Sequence, residues 1–202
     1  VFYTAFLNLF LEADLKSGET VLIHGGASGV GTAAIQLARE AGCRVVATAG
    51  SQEKVDRCRS LGAELVVNYR NRDFADAVLD HCDGVDVILD IVAGSYLEQN
   101  LKSLKPCGRL VVISLLGGSA ASLDLAAVLG KRLRIIGSLL RSRPLEEKIA
   151  IVSQFDDRFW QLLVDGRVAP VIHQVLPVTA AEEAHQILAN NRNIGKVVLQ
   201  IR

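Results

Sequence analysis

Apolar residues in this chain fall in short unbroken runs, separated by stretches in which they recur every three or four positions. The runs occupy residues 20–24, 44–49, 65–68, 86–90, 109–115 and 133–138, and their starts lie 21 to 24 residues apart. Each is rich in Val, Ile and Leu without clean polar alternation, which suits strands buried on both faces. Between the first two runs Ala34, Leu37, Ala38 and Ala41 keep helical spacing up to Gly42, and Val55, Cys58 and Leu61 do the same up to Gly62. Phe74, Ala77 and Val78 make the next apolar stripe. A strand, a helix and a strand in each interval demand crossover connections, and therefore a parallel sheet. Six strands in this rhythm form two three-stranded halves, which predicts an α/β fold with a doubly wound six-stranded parallel sheet.

The flanks depart from that rhythm. Phe2, Ala5, Phe6 and Leu9 predict an opening helix, turned into the first strand by Lys16, Ser17, Gly18 and Glu19. Beyond the sixth run Arg143-Pro144 precedes a helix through about Val164, with proline where a first helical turn tolerates it. Thr179-Ala180-Ala181-Glu182 reads as a capping box for a helix ending at Asn190 or Asn191. Residues 195–201 alternate as a last strand with no partner among the six.

The sharpest chemical feature is Val21-Leu22-Ile23-His24-Gly25-Gly26-Ala27-Ser28-Gly29-Val30-Gly31. A glycine-rich loop is common in isolation. Here it follows a buried strand and opens a helix within a strand–helix–strand unit, the context of a Rossmann dinucleotide site. Glycines permit the tight turn and let the backbone approach a pyrophosphate, which the amides and dipole of the helix start then face. Ser28 stands where the usual pattern has its middle glycine. A second feature is the end of the second run, Thr48-Ala49-Gly50-Ser51, which lacks the acid that normally holds a ribose 2′-hydroxyl. Ser51, Lys54 and Tyr69 instead offer a hydroxyl, an ammonium and a phenol, a set suited to a 2′-phosphate and hence to NADPH. The alternative is that Ser51 only caps its helix and Lys54 is solvated.

Composition narrows the classes. The 202 residues carry 22 Lys+Arg against 22 Asp+Glu, so binding to nucleic acid by counterion release is not expected. No apolar run approaches the roughly 18–20 residues that span a bilayer. Cys43, Cys58, Cys82 and Cys107 are widely spaced, which supports neither a zinc site nor disulfides and fits reduced thiols in a cytoplasmic protein. There is no methionine.

Taken with these features, several segments resemble a known family. They are residues 17–24, the glycine loop continued by Thr32-Ala33-Ala34-Ile35-Gln36-Leu37-Ala38, Leu61-Gly62-Ala63 with Asn68-Tyr69, and Ala49-Gly50-Ser51-Gln52. Gly94-Ser95-Tyr96, residues 138–143 and Asn193-Ile194-Gly195-Lys196 add to them. Together they are similar to the cofactor-binding half of the zinc-independent NADPH quinone oxidoreductases of the medium-chain dehydrogenase/reductase superfamily, from about Thr4 onward.

The resemblance implies NADPH as cofactor, with Ser28, Gly29, Val30, Gly31, Thr32 and Ala33 at the pyrophosphate and Ser51, Lys54 and Tyr69 at the 2′-phosphate. It implies that Thr4 sits by the nicotinamide and that Leu115, Leu116, Gly117, Ser138, Leu139 and Leu140 line its ribose and carboxamide. Asn193 is expected to approach the cofactor from the C-terminal side. Relatives begin with a barrel-like catalytic domain, to which their C-terminal segment returns. The expected organisation is therefore a Rossmann domain over residues 1–172 and a return segment over 173–202, and the chain reads as the cofactor half of a larger reductase. A homodimer joined through the sixth-strand edge is also implied. The implied activity is hydride transfer to a quinone or enone. Reduction of an α,β-unsaturated thioester and NADPH binding without turnover are the alternatives. No metal and no catalytic acid or base is assigned. His81 is expected to pack on its helix's apolar stripe and His24 against the glycine loop, while His173 and His185 are expected to be filler. Arg141 and Arg143 read equally as anion or partner contacts and as solvated loop residues.

Overall fold

A computed structural model describes residues 1–201 of the chain. It opens with α1 (Phe2–Phe6), which runs on as a π-helical segment over Leu7–Glu12. Then follow β1 (Thr20–Ile23), α2 (Gly29–Glu40), β2 (Arg44–Ala49), α3 (Gln52–Ser60), β3 (Leu65–Asn68) and α4 (Phe74–His81). The second half holds β4 (Val85–Asp90), α5 (Leu97–Ser103), β5 (Leu104–Val112), α6 (Leu125–Lys131), β6 (Arg134–Gly137) and α7 (Leu145–Val164). The chain continues with β7 (Ile172–Pro177), α8 (Ala181–Ala189) and β8 (Lys196–Gln200).

The first six strands form one parallel sheet in the order β3-β2-β1-β4-β5-β6, the doubly wound arrangement that the run spacing predicts. Alternate side chains of each strand enter different cores, which is why the runs show no polar alternation. Val21, Ile23, Val45, Ala47, Val87 and Leu89 join the core shared with α1, α2 and α7. Leu22, Val46 and Ile88 join the core under α4 and α5. On the first side Phe2, Phe6 and Phe10 pack against Phe155 and Phe159 of α7, with ring centroids 5.2–6.4 Å apart. This aromatic stack fastens both flanking helices to the sheet. Among the described residues no helix is long and apolar enough to cross a membrane.

Several elements differ from the pattern in the sequence. The fifth strand runs over Leu104–Val112 rather than 109–115, because the backbone beyond it leaves the sheet. There Leu116 N–H and Gly117 N–H donate to the carbonyls of Ile91 and Val92 in the loop after β4, at 3.2 and 2.7 Å. The sixth strand is trimmed to Arg134–Gly137. The strand at 195–201 has no partner among the six, but it pairs in parallel with β7, an element the pattern does not reveal. No capping box forms at Thr179: a 3₁₀ turn over Val178–Ala180 takes that residue in, and α8 begins at Ala181 without a side-chain cap. His81 is exposed on α4, because Phe74, Ala75, Ala77 and Val78 already fill the buried face. His173 and His185 are exposed as well.

His24 is buried, 1% exposed, directly beneath the turn from β1 to α2. Its ring packs edge-on against both Phe74 and Tyr96, with centroids 4.7 and 4.9 Å away, and those two rings touch each other at 4.9 Å. Nδ1 lies 3.1 Å from Thr48 Oγ1 at the end of β2, and Nε2 lies 2.7 Å from Asn100 Oδ1 of α5. Asn100 Nδ2 donates to Asp90 Oδ2 at 2.9 Å, while Asp90 Oδ1 accepts from the amides of Val92 and Ala93. One buried polar chain thus ties together the carboxyl ends of β1, β2 and β4.

Two consequences are measurable. Phe155→Ala should cost about 3–5 kcal/mol in urea unfolding, as expected for an emptied aromatic core position. Leu129→Ala, at a position 81% exposed, should cost under about 0.5 kcal/mol. Burial pulls His24 below the ordinary histidine value, against the opposing charge of Asp90; Tyr96, the other titratable group on it, is pushed up by burial. The unfolded chain therefore takes up a proton near pH 6.5 that the folded chain resists. Stability is whole above that pH and falls below it by up to about 1.4 kcal/mol per pH unit, and this component should vanish from the pH dependence of unfolding in His24→Asn.

Candidate functional site

The carboxyl ends of the parallel strands, where β1 and β4 diverge to opposite halves of the sheet, form the natural ligand crevice of this topology. Ser28 ends the β1 turn in extended conformation (φ −70, ψ 166), which serine adopts freely, so the missing glycine costs nothing there. Its hydroxyl accepts from Gly31 N–H at 3.0 Å and caps α2. Gly31 admits no side chain: a Cβ would stand 2.3 Å from the Gly25 carbonyl oxygen. The first turn of α2, from Gly29 through Val30 and Gly31 to Thr32 and Ala33, thus approaches β1 at backbone contact with its amide end toward the crevice.

A cleft of about 460 Å³ lies beside that turn. Gly25, Ala27 and Ser28 line it from the turn between β1 and α2, Thr48, Ala49, Gly50 and Lys54 from β2 and α3, and Tyr69 from the end of β3. Ile91, Val92 and Tyr96 come from the loop after β4, Leu116 from that after β5, and Leu188, Asn191 and Asn193 from the chain around the end of α8. Gly50 keeps the floor open for the phenol, since a Cβ there would lie 2.3 Å from the Tyr69 hydroxyl. The lining contains no carboxylate and no imidazole.

At the β2 end the cleft continues into a recess bordered by Gly50, Ser51, Glu53, Lys54, Arg70, Asn190, Asn191 and Arg192. Ser51 caps α3 by accepting from Lys54 N–H at 3.4 Å. Lys54 is only 8% exposed, and its ammonium donates to the carbonyl and side-chain oxygens of Asn191 at 2.6 and 2.7 Å. Burial and the neighbouring Arg70 guanidinium pull Lys54 below the ordinary lysine value, with Glu53 opposing. Its two hydrogen-bond partners here are neutral oxygens, so an arriving anion would relieve both penalties.

Of the residues singled out in the sequence, the cleft brings together Ser28, Lys54, Tyr69, Leu116 and Asn193, and the recess adds Ser51. Gly29, Val30, Gly31, Thr32 and Ala33 form the helix start beside the cleft without lining it, and the others lie apart from these walls. Thr4 sits on α1, its carbonyl accepting from Asn8 Nδ2 at 2.7 Å, and Leu115 and Leu139 are exposed. Gly117 packs on Ser95 and Val92. Ser138 and Leu140 are half-buried beyond β6, and Ser138 Oγ is a buried atom without a protein partner. Arg143 pairs with Glu12 and Glu147 rather than standing free, and Arg141 is exposed. Ile91, Val92 and Tyr96 were detectable, since they follow a strand at the ligand-bearing edge. Leu188, Asn191 and Arg192 carried no signal, because only tertiary docking of α8 brings them here.

The residues present do not fit a zinc ion. Among the described residues no three His, Cys, Asp or Glu side chains converge as ligands. Burial pushes the thiols of Cys43 and Cys58 up to about 11 and about 12, so both are protonated at neutral pH.

Comparison with known proteins agrees with this geometry. The sequence profile of the family described as "Zinc-binding dehydrogenase" matches residues 29–155. Quinone oxidoreductase of Mus musculus is 34% identical over 203 residues, covering 98% of this chain and 60% of that protein. Quinone oxidoreductase from Thermus thermophilus, whose structures include a complex with NADPH, superposes with a TM-score of 0.87 at 32% identity, over 99% of this chain and 63% of that one. The CurK enoyl reductase superposes with a TM-score of 0.82 at 32% identity, over 100% of this chain and 60% of that one. The chain thus spans about three-fifths of the length of these relatives. With its doubly wound sheet and glycine turn, it belongs to the zinc-binding dehydrogenase family of the medium-chain dehydrogenase/reductase superfamily, as a nucleotide-binding Rossmann part.

Proposed function

We propose that the protein is an NADPH-dependent, zinc-independent oxidoreductase that passes hydride to a quinone or similar conjugated carbonyl, with this chain supplying the NADPH site. The observation that carries the cofactor reading is Lys54, a nearly buried ammonium held by neutral oxygens beside Arg70 and Arg192, at the strand end where an NADH site keeps a carboxylate. Glu53 borders the recess but belongs to the exposed first turn of α3.

Ser28 and the amides of Gly29 to Ala33 would hold the pyrophosphate, and Ser51, Lys54 and Tyr69 the 2′-phosphate. Thr4, Leu115, Leu116, Gly117, Ser138, Leu139 and Leu140 would flank the nicotinamide end, where the unpartnered Ser138 hydroxyl is available to a carboxamide, and Asn193 would close from the C-terminal side. The reduced cofactor, when bound, supplies the hydride. The chain's own part is binding and alignment, since its cleft offers no carboxylate or imidazole for proton transfer. The exposed β6 edge, with Ile135 42% and Leu129 of α6 81% exposed, supports pairing of two copies.

The likeness to CurK favours a second reading, reduction of an α,β-unsaturated thioester. The two readings share the NADPH site and differ in the acceptor. Fluorescence titration of the chain should show tighter binding of NADPH than of NADH. Lys54→Glu should weaken NADPH at least about tenfold, the scale of a lost charge-assisted hydrogen bond, and change NADH by under about threefold. Arg70→Ala and Arg192→Ala should each weaken NADPH about threefold. Equal losses for both nucleotides would remove the case for the 2′-phosphate. Oxidation of NADPH by the protein with a quinone, compared with an enoyl thioester, separates the two acceptors.

A further inference from the structure

The buried chain beneath the glycine turn has a direction, fixed by donor and acceptor chemistry. Asp90 accepts from Val92 N–H, Ala93 N–H and Asn100 Nδ2, at 2.7, 3.0 and 2.9 Å. The carboxylate dictates the orientation of Asn100, since the reversed amide would set oxygen against oxygen. Asn100 Oδ1 therefore faces His24 Nε2 at 2.7 Å as an acceptor, and Nε2 must carry the proton. In a neutral imidazole this leaves a lone pair on Nδ1, so the Thr48 hydroxyl donates to it across 3.1 Å. The hydroxyl oxygen is then turned to accept from Gly25 N–H at 3.2 Å. Gly25 in turn stands at φ 62, and its carbonyl accepts from Ser28 N–H at 2.8 Å and abuts Gly31. The Gly25 N–H and carbonyl lie on successive peptides joined at its Cα; the Thr48 side chain holds the first and the Thr48 carbonyl, accepting from Gly26 N–H at 2.9 Å, holds the second, so Thr48 sets the carbonyl that receives the Ser28 amide at the start of α2.

We propose that His24 is a positioning residue for dinucleotide binding: as the neutral Nε2–H tautomer it passes the hydrogen-bond polarity of Asp90 and Asn100 to the Thr48 hydroxyl, which anchors the Gly25 N–H at the start of the turn that meets the pyrophosphate. The identity of the ligand rests on the NADPH reading above; the wiring does not. Packing alone does not account for an imidazole here. Its neighbours Phe74 and Tyr96 are rings that an apolar side chain would satisfy, whereas each ring nitrogen is engaged by a single, complementary partner. His24 and Asn100 lie behind the cleft wall, so they act through Thr48 and Gly25, which form it.

Long-range ¹H–¹⁵N correlation spectra of the labelled chain at pH 7, with His24 identified by its loss in His24→Asn, should show a pyrrole-type Nε2 and a pyridine-type Nδ1. The opposite tautomer or an imidazolium would overturn the proposal whether or not any nucleotide binds. The variants then separate the two arms. His24→Asn keeps an acceptor toward Thr48, whereas His24→Gln keeps only the donor toward Asn100. Exchange of the Gly25 amide should accelerate in His24→Gln and not in His24→Asn, and NADPH should bind about tenfold more weakly to the former but within about threefold of wild type to the latter. Thr48→Ser should behave as wild type. Equal exchange and equal affinity in the two His24 variants would overturn the proposal, and variants that fail to fold leave the tautomer to decide it. A wild-type chain with the expected tautomer that binds no NADPH would count against the cofactor reading instead.

Discussion

The contact between Gly31 and the Gly25 carbonyl is the constraint on which the rest of the molecule turns. With no Cβ at Gly31, α2 begins at backbone distance from the end of β1; with one, the oxygen would be only 2.3 Å away. Everything at the ligand edge inherits its placement from that approach. Ser28 can cap α2 only because the turn is this short, and Gly26 N–H reaches the Thr48 carbonyl at 2.9 Å only because the turn folds back over β2. The cleft is the space left between this turn and the loops that diverge from β2 and β4.

Much of the architecture was legible because buried parallel strands advertise themselves. The runs ending at Ala49, Asn68 and Asp90 are each flanked by crossovers and filled from both sides, so unbroken apolar character and strand identity coincide. The reading weakened at the exposed β6 edge and outside the main sheet. β7 contains His173, Gln174 and Pro177 and is mostly exposed, so its composition resembles a loop, and only its pairing with β8 makes it a strand. The end of β5 was misplaced because Ile113 and Leu115 continue the apolar character past the last ladder pair at Val112; hydropathy does not record the direction of hydrogen bonds. The Thr179 box failed for a similar reason, since a 3₁₀ turn supplied the helix start by another route.

The site divides along the same line. Ser28, Ser51 and Lys54 were visible because each belongs to a strand end and the helix start after it, within a few positions of one another. Asn191, which holds the Lys54 ammonium, comes from 137 positions away and from no motif. His24 shows the intermediate case. Its position beside the glycine loop suggested packing, which burial agrees with, but its bonds to Thr48 and Asn100 depend on β2 and α5 arriving at the same point.

That long-distance contact bears on the order in which the molecule is built. Gly195 N–H donates to the Ala27 carbonyl at 2.8 Å, Ser28 and Gly195 form a parallel bridge, and Asn191 clasps Lys54. The turn after β1 is thus finished by a segment that is synthesised only after the whole six-stranded sheet. A nascent chain with its whole six-stranded sheet already exposed would still lack one wall of the nucleotide cleft until residues 191–195 had left the exit tunnel and docked.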